Sequence, residues 1–535
     1  MFSRKKEDQL TSVQDYERVA INFSPKIPVL EKVKDKTQID VRYCLISPFA
    51  YAHVHWNPKI FEVVYEIEEP LLDEKEEAYK EQIKTAMRDI INFDIIVEKK
   101  EEVILNYIDR LFKMLLIELG INISYESYKK IYYYLARDFI GFNEIDPLLR
   151  DYYIEDIECN GGNTPIYIVH RVYRNMKTNI TFKDLNYLAS FVEKLAQKTG
   201  KYISYSEPIL DGTLPDGSRV NATYTKDITS RGPTFTIRKF TATPWTPPQL
   251  IQFKTLSPEM MAYLWLLVQY KMNILIAGGT ASGKTTLLNA LAFFIPTEAR
   301  VVSIEDTREL NLPRENWLPS VTRSATIGTG TSGEISLYDL LRSSFRQNPD
   351  YVIVGEVRGK EAYVLFQGMA SGHSSLSTIH ADSVDTVIKR LETPPIELPP
   401  TLVNVLDCVC IMTHAIVNNQ ETRKLKEIVE IIKVDPDGIA TTNTPFIWNP
   451  EDDEFYSKKK SHIIEKISKQ YGLKIEELNS EFKKRVELIY KLYKNKIFEF
   501  EKVQEVIDEY AKKPEDVLKR FGVTISEGGE DTKES

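Results

Sequence analysis

The sequence predicts an α/β fold built on a parallel sheet, and three observations carry that prediction. Residues Gly278-Gly279-Thr280-Ala281-Ser282-Gly283-Lys284-Thr285 match the pattern G-x-x-x-x-G-K-[ST] in full. The match lies between an apolar strand-like run at 273–277 and a run in which Leu287, Leu288, Leu291, Phe294 and Ile295 recur at helical spacing. From about 255 to 445, strand-like and helix-like runs alternate. Finally, the strand-like runs at 300–304, 351–355 and 376–379 lead directly into Glu305, Glu356 and His380. In an open α/β sheet such carboxyl ends are where ligands bind.

Taken from the amino terminus, residues 1–30 carry alternating charges and few aromatics and read as a flexible arm. Two strand-like runs, 41–46 and 61–67, and a Lys-, Glu-, Leu-, Ile- and Tyr-rich stretch at helical spacing to about 140 make one α+β domain, 31–140. Within it His53 and His55 alternate on one strand, the spacing of a metal pair, but no third ligand lies nearby in sequence. A second α+β domain, 141–240, is marked by strand-like runs at 166–169 and 234–237 and by turn signals at Gly161-Gly162, Asp211-Gly212 and Asp216-Gly217. The segment Thr241-Ala242-Thr243-Pro244-Trp245-Thr246-Pro247-Pro248 breaks regular structure, so 241–254 reads as a stiff hinge. The α/β domain then fills 255–448. A helical extension, 449–535, carries Phe482, Val486, Ile489, Tyr493, Ile497 and Phe500 on one stripe, read as a packing face, and ends in a stretch expected to be disordered that includes Glu527-Gly528-Gly529-Glu530-Asp531.

Composition narrows the function classes. The longest apolar run, 260–268, falls short of the ~20 residues that span a bilayer, and the charged start lacks the apolar core of a secretory signal, so the expected location is the cytoplasm. Four cysteines without a C-x-x-C pair argue against disulfides and structural zinc; Cys408 and Cys410 read as buried strand residues. A net charge of −9 gives no support to nucleic acid as the main partner.

The glycine-rich loop predicts a phosphate cradle, with residues 278–286 binding the nucleotide: backbone N–H groups and the helix start face the anion, Lys284 reaches the β- and γ-phosphates, and the Thr285 hydroxyl binds Mg²⁺. Phosphoryl transfer needs little covalent help, so the remaining roles fall to carboxylates. Glu305 and Glu356 are the candidates, one to orient the attacking water and the other to hold the metal's water shell, the metal assignment going to Glu356. Two roles stay open for His380: sensing the γ-phosphate by hydrogen bond, or serving as a satisfied structural histidine.

Four segments together resemble the ATPases of type II and type IV secretion systems and type IV pili. They are the loop 278–285, Glu305-Asp306-Thr307-Arg308-Glu309, Gly355-Glu356-Val357-Arg358-Gly359, and Gly372-His373 with His380, in the order of that family's Walker A, Asp, Walker B and His boxes. The phrase Arg231-Gly232-Pro233-Thr234-Phe235-Thr236-Ile237-Arg238 looks like the archaeal branch, above all the archaellum motor ATPase. The resemblance implies a RecA-like P-loop core in a homohexameric ring that hydrolyses ATP with Mg²⁺ beneath a mobile N-terminal domain. It implies work at the inner face of the membrane on an integral-membrane platform protein, with accessory cytoplasmic motor proteins and no nucleic acid. It also implies that N-terminal-domain arginines complete the nucleotide site, with Arg219, Arg231 and Arg238 as the matching positions. An adhesive pilus or secretion ATPase, a DNA-translocating conjugative ATPase, a nucleotide-gated scaffold and a small-molecule kinase are the competing readings.

Overall fold

The computed structural model describes residues 16–26, 28, 30, 33, 35–90, 101–240, 243–312, 314–323, 333–417 and 420–523. The chain divides into two compact units, Met1–Phe240 and Thr241–Ser535.

In the first unit the described residues form one nine-stranded sheet. Its strands are β1 (Asp40–Ile46), β2 (Ala50–Asn57), β3 (Glu62–Glu68), β4 (Ile154–Cys159), β5 (Pro165–His170), β6 (Arg174–Thr181), β7 (Ile209–Thr213), β8 (Arg219–Thr223) and β9 (Thr234–Arg238), in the order β1-β2-β3-β6-β5-β4-β9-β8-β7. The two α+β domains expected from the sequence therefore share a sheet. They join where β3 pairs with β6 in parallel, Val64 beside Lys177 and Tyr65 beside Thr178. An open β3 edge would leave a row of backbone groups unpaired. Here the Asn179 side chain also bonds both Ile67 N (3.0 Å) and Ile67 O (2.9 Å), closing that edge. The buried Asp151 accepts from Tyr43 (2.6 Å) and Tyr65 (2.7 Å), so polar groups from β1, β3 and the turn before β4 meet in one core. The arm expected to be flexible is partly fixed: Val19 and Phe23 are buried, and Asn22 bridges to Ser47. Residues 1–15 lie outside the described residues.

The second unit contains β10 (Ile274–Gly278), β11 (Val301–Glu305), β12 (Trp317–Val321), β13 (Tyr351–Val354), β14 (Ser374–Ile379), β15 (Cys408–Val417), β16 (Gln420–Val434), β17 (Ala440–Asn449) and β18 (Glu454–Ser457). Their order is β12-β11-β13-β14-β10-β15-β16-β17-β18. From β12 through β15 all pairings are parallel; from β15 to β18 they are antiparallel. Strands β10, β11, β13 and β14 are buried at every position, as expected of a parallel sheet covered on both faces. The α/β class read from the sequence is thus the observed one, extended by an antiparallel flank. Cys408 and Cys410 sit buried in β15 beside Ile274 and Ile276.

Two expectations need correction. The proline-rich segment is not irregular throughout, because Pro247–Gln252 is a helix. Thr246 and Gln249 form a capping box there, and proline is tolerated at the first helical position, where no N–H is needed. The extension after 448 likewise begins as sheet: β18 pairs with β17 before the helices His462–Tyr471, Ile475–Lys494, Phe500–Lys512 and Pro514–Arg520. Buried Glu430 of β16 anchors them, accepting from Tyr263 Oη (2.6 Å), Ser461 Oγ (2.5 Å) and His462 N (2.8 Å). The apolar stripe is a packing face, as read. Ile489 and Phe500 are buried with Met260, Trp265 and Leu291, and Phe482, Val486, Tyr493 and Ile497 lie partly buried against the same cluster. The stretch that includes Glu527 to Asp531 lies outside the described residues. Among the described residues no helix is long and apolar enough to cross a membrane.

Candidate nucleotide site

Because β10, β11, β13 and β14 run parallel, their carboxyl ends fall on one edge of the sheet. The glycine-rich loop leaves β10 there and turns into the helix Lys284–Ala292. Ala281 (φ 56°) and Gly283 (φ 96°) take left-handed conformations that wind the chain back on itself. At Gly278 a methyl group would come within 2.6 Å of Met412 O and 2.5 Å of Ser282 Oγ, so β15 reserves that position for glycine. Gly279 faces open space, as a residue that admits an anion to the backbone must. Ser282 Oγ donates to Gly279 O (2.8 Å) and holds the turn.

Lys284 is buried, and its ammonium donates to Gly278 O (3.1 Å) and Gly279 O (2.9 Å) while standing 3.4 Å from His380 Nδ1. Burial lowers its pKa, against the pull of Glu356. On the other side of the same imidazole, His380 Nε2 lies 2.9 Å from Glu356 Oε1, an ion-pair distance without hydrogen-bond alignment. His380 therefore bridges the lysine and the acid, and burial lowers its own pKa. Glu356 Oε2 accepts from Arg358 (2.5 Å), which raises the arginine's pKa. Arg358 also reaches toward Asp306 (3.9 Å).

Glu305 ends β11 at 2 % exposure. Its Oε1 accepts from the backbone N–H of Glu309 and Leu310 (2.9 Å each), whereas Oε2 is buried without a donor. Desolvation pushes this carboxyl up to about 7, above what the two N–H groups can offset. Its Cγ lies 3.2 Å from where a Cβ on Gly355 would sit, so β11 and β13 bring it to the approach of Glu356. The structure thus joins Lys284, His380 and Glu356 directly and places Glu305 one strand beyond. Thr285 and Thr286, the second and third residues of the loop's helix, are half-buried.

The arginine candidates lie in the first unit. Arg219 and Arg238 are direct neighbours across β8 and β9. Arg219 is held by both oxygens of Asp211 (3.1 and 2.9 Å), and Arg238 by Asp156 (3.1 Å) with its side chain 67 % exposed. Arg231 lies in the turn before β9, where its carbonyl accepts from Gly162 N (3.0 Å).

Two further residues escaped the sequence reading. Glu361 Oε1 accepts from the N–H groups of Arg358 (2.6 Å) and Gly359 (2.7 Å), fixing the turn that carries Glu356. Glu361 is the first residue of the helix Glu361–Ala370, and its N-cap, Lys360, gives no side-chain capping signal that would mark it in the sequence. Arg423 of β16 donates Nε to Ala281 O (3.0 Å) in the glycine-rich loop. No local pattern marks it, because it reaches the loop from 142 residues away.

The donor set fits a nucleotide with Mg²⁺. A hard cation takes oxygen ligands, and Thr285 and Glu356 are the oxygen donors that would hold it. Glu305 Oε2 and Glu356 Oε1 are carboxylate oxygens without aligned donors, as a metal's water shell requires.

Residues 143–437 match the family model described as Type II/IV secretion system protein. An uncharacterized protein of Methanocaldococcus jannaschii, MJ0900, is 39 % identical over 393 residues, covering 72 % of this chain and 70 % of that one. The type IV secretion system protein PtlH of Bordetella pertussis is 34 % identical over 230 residues, 39 % of this chain and 67 % of PtlH. Among solved structures, the VirB11 ATPase from the Brucella suis type IV secretion system, in complex with sulphate, is similar at 27 % identity. That match covers 53 % of this chain and 90 % of VirB11, with a TM-score of 0.28.

Proposed function

The chain belongs to the type II/IV secretion system protein family, and from that premise we propose that it is an ATP hydrolase working as the motor of a pilus-like filament. The observation that carries the reading is the line from Lys284 through His380 to Glu356 at the carboxyl edge of a buried parallel sheet. Mg²⁺, which Thr285 and Glu356 would hold, would supply positive charge to offset the negative charge of the phosphate oxygens. The chain's own residues do the rest. Lys284 exchanges its two loop carbonyls for phosphate oxygens, His380 senses whether the lysine has moved, and Glu356, held by Arg358, keeps its second oxygen for the metal's water shell. Glu305, with one oxygen fixed and one unpartnered, is suited to orient the attacking water and take its proton.

The finer reading is a homohexamer whose turnover moves the N-terminal unit against an integral-membrane platform protein to assemble or rotate a filament of the archaellum type. It rests on the phrase from Arg231 to Arg238 and on the exposed arginines of β8 and β9. Phosphate release by the purified full chain tests the site: K284A should lower turnover by at least ~10²-fold with its circular dichroism unchanged. Normal turnover in a folded K284A chain would remove the assignment. A deletion strain that swims normally and loses adhesion would replace the archaellum by an adhesive pilus.

A further inference from the structure

One face of the three-stranded β1–β2–β3 meander carries a second cluster that the nucleotide chemistry does not use. His53 and His55 project from the same face of β2, their ring centroids 4.4 Å apart. Glu66 of β3 lies directly across from His53 in register. One ligand atom from each of the three residues can be chosen so that all lie within 4.8 Å of one another, the third ligand that sequence spacing did not reveal.

We propose that His53, His55 and Glu66 bind a divalent transition-metal ion of the zinc type, which clips β2 to β3. Bonds of ~2.0–2.2 Å around a tetrahedral ion require donors roughly 3.3 Å apart, so a small rotation of solvent-facing side chains closes the set. Two imidazoles and one carboxylate select zinc, cobalt or nickel over calcium or magnesium, which prefer oxygen alone.

The surroundings are those of a supported site. His55 Nδ1 is buried without a hydrogen-bond partner. Asp40 Oδ1 is 2.8 Å from His53 Nε2, and Glu68 Oε1 is 3.4 Å from His53 Nδ1. Whichever ring nitrogen of His53 takes the metal, the other has a carboxylate to orient it. Asp40, Glu66 and Glu68 bring three carboxylates to the two imidazoles, and Arg42 pairs with Glu68 (2.6 Å) and lies over the Tyr51 ring. The excess negative charge favours a dication. Side-chain exposures of 26 % for His53 and 23 % for His55 leave a path for entry.

The test uses the full chain without nucleotide, stripped with chelator, loaded with Zn²⁺ and desalted. Wild type should retain about one equivalent more zinc than H53Q/H55Q, and E66Q should bind at least ~10-fold more weakly. In wild type alone, zinc should shield His53 and His55 from histidine-directed acylation mapped by mass spectrometry, while the exposed His414 and His462 react as before. Equal zinc retention in the double variant, or equal acylation with and without zinc, overturns the proposal; if the double variant does not fold, the shielding experiment decides.

Discussion

The two sheets of this protein place charged residues by opposite rules. In the second unit β10, β11, β13 and β14 are buried on both faces, so a charged side chain can stand only where a strand ends. Glu305, Glu356 and His380 all do. In the first unit β7, β8 and β9 alternate buried and open positions, and charged residues line the open face in rows. Arg219 beside Arg238, and His53 beside Glu66, are such rows. A charged residue at the end of a buried parallel strand is therefore positioned for chemistry by topology alone. One on an open strand face acquires a role only from what its neighbours, or a partner molecule, bring to it.

The sharpest test of that contrast is Arg238. Its exposed pair with Asp156 should contribute less than ~1 kcal/mol to stability. If the arginine completes a nucleotide site in the assembled motor, R238A should lower turnover by ~10³-fold while the unfolding midpoint hardly moves. Unchanged turnover would reduce the row to a solvated face.

Glu305 tests the buried side. Its carboxyl sits near 7 against an ordinary 4.5, so the folded chain keeps a proton that the unfolded chain releases between those values. The stability tied to that proton is complete below the lower value and is lost as pH rises through the upper one, a swing of about 3 kcal/mol. Unfolding midpoints of nucleotide-free protein from about pH 5 to 8 should show the slope. E305Q, which keeps an acceptor for Glu309 and Leu310, should flatten it; parallel curves would mean that the buried carboxyl is already ionised.

G278A forces a methyl group against Met412 O and Ser282 Oγ and should cost ~1–3 kcal/mol together with nucleotide binding. A variant of wild-type stability would show that the loop yields. The smallest effect is expected at Arg423, which touches the loop from the antiparallel flank. R423A removes one hydrogen bond of ~1 kcal/mol, so nucleotide affinity, read by calorimetry, should fall about fivefold. No change would confine the site to the parallel strands.

The sequence by itself determined the glycine-rich turn between strand and helix, the acids and histidine after the strands, the α/β class of the second unit and the packing stripe from Phe482 to Phe500. Each of these is written in neighbouring residues, because a strand end, a tight turn or a helical face is a local object with a local period. Tertiary structure alone decided the rest. It paired β3 with β6, with Ile67 bonded to Asn179 across 112 residues, and so merged two expected domains into one sheet. It brought Glu430 beneath the C-terminal helices, Arg423 to Ala281, and Glu66 to His53. Even the helix Pro247–Gln252 shows the limit: prolines that read as a break are also good first residues of a helix, and the cap at Thr246 settled which. Strand register is fixed by burial and edge pairing over the whole sheet, so contacts across strands have no spacing in the chain that could announce them.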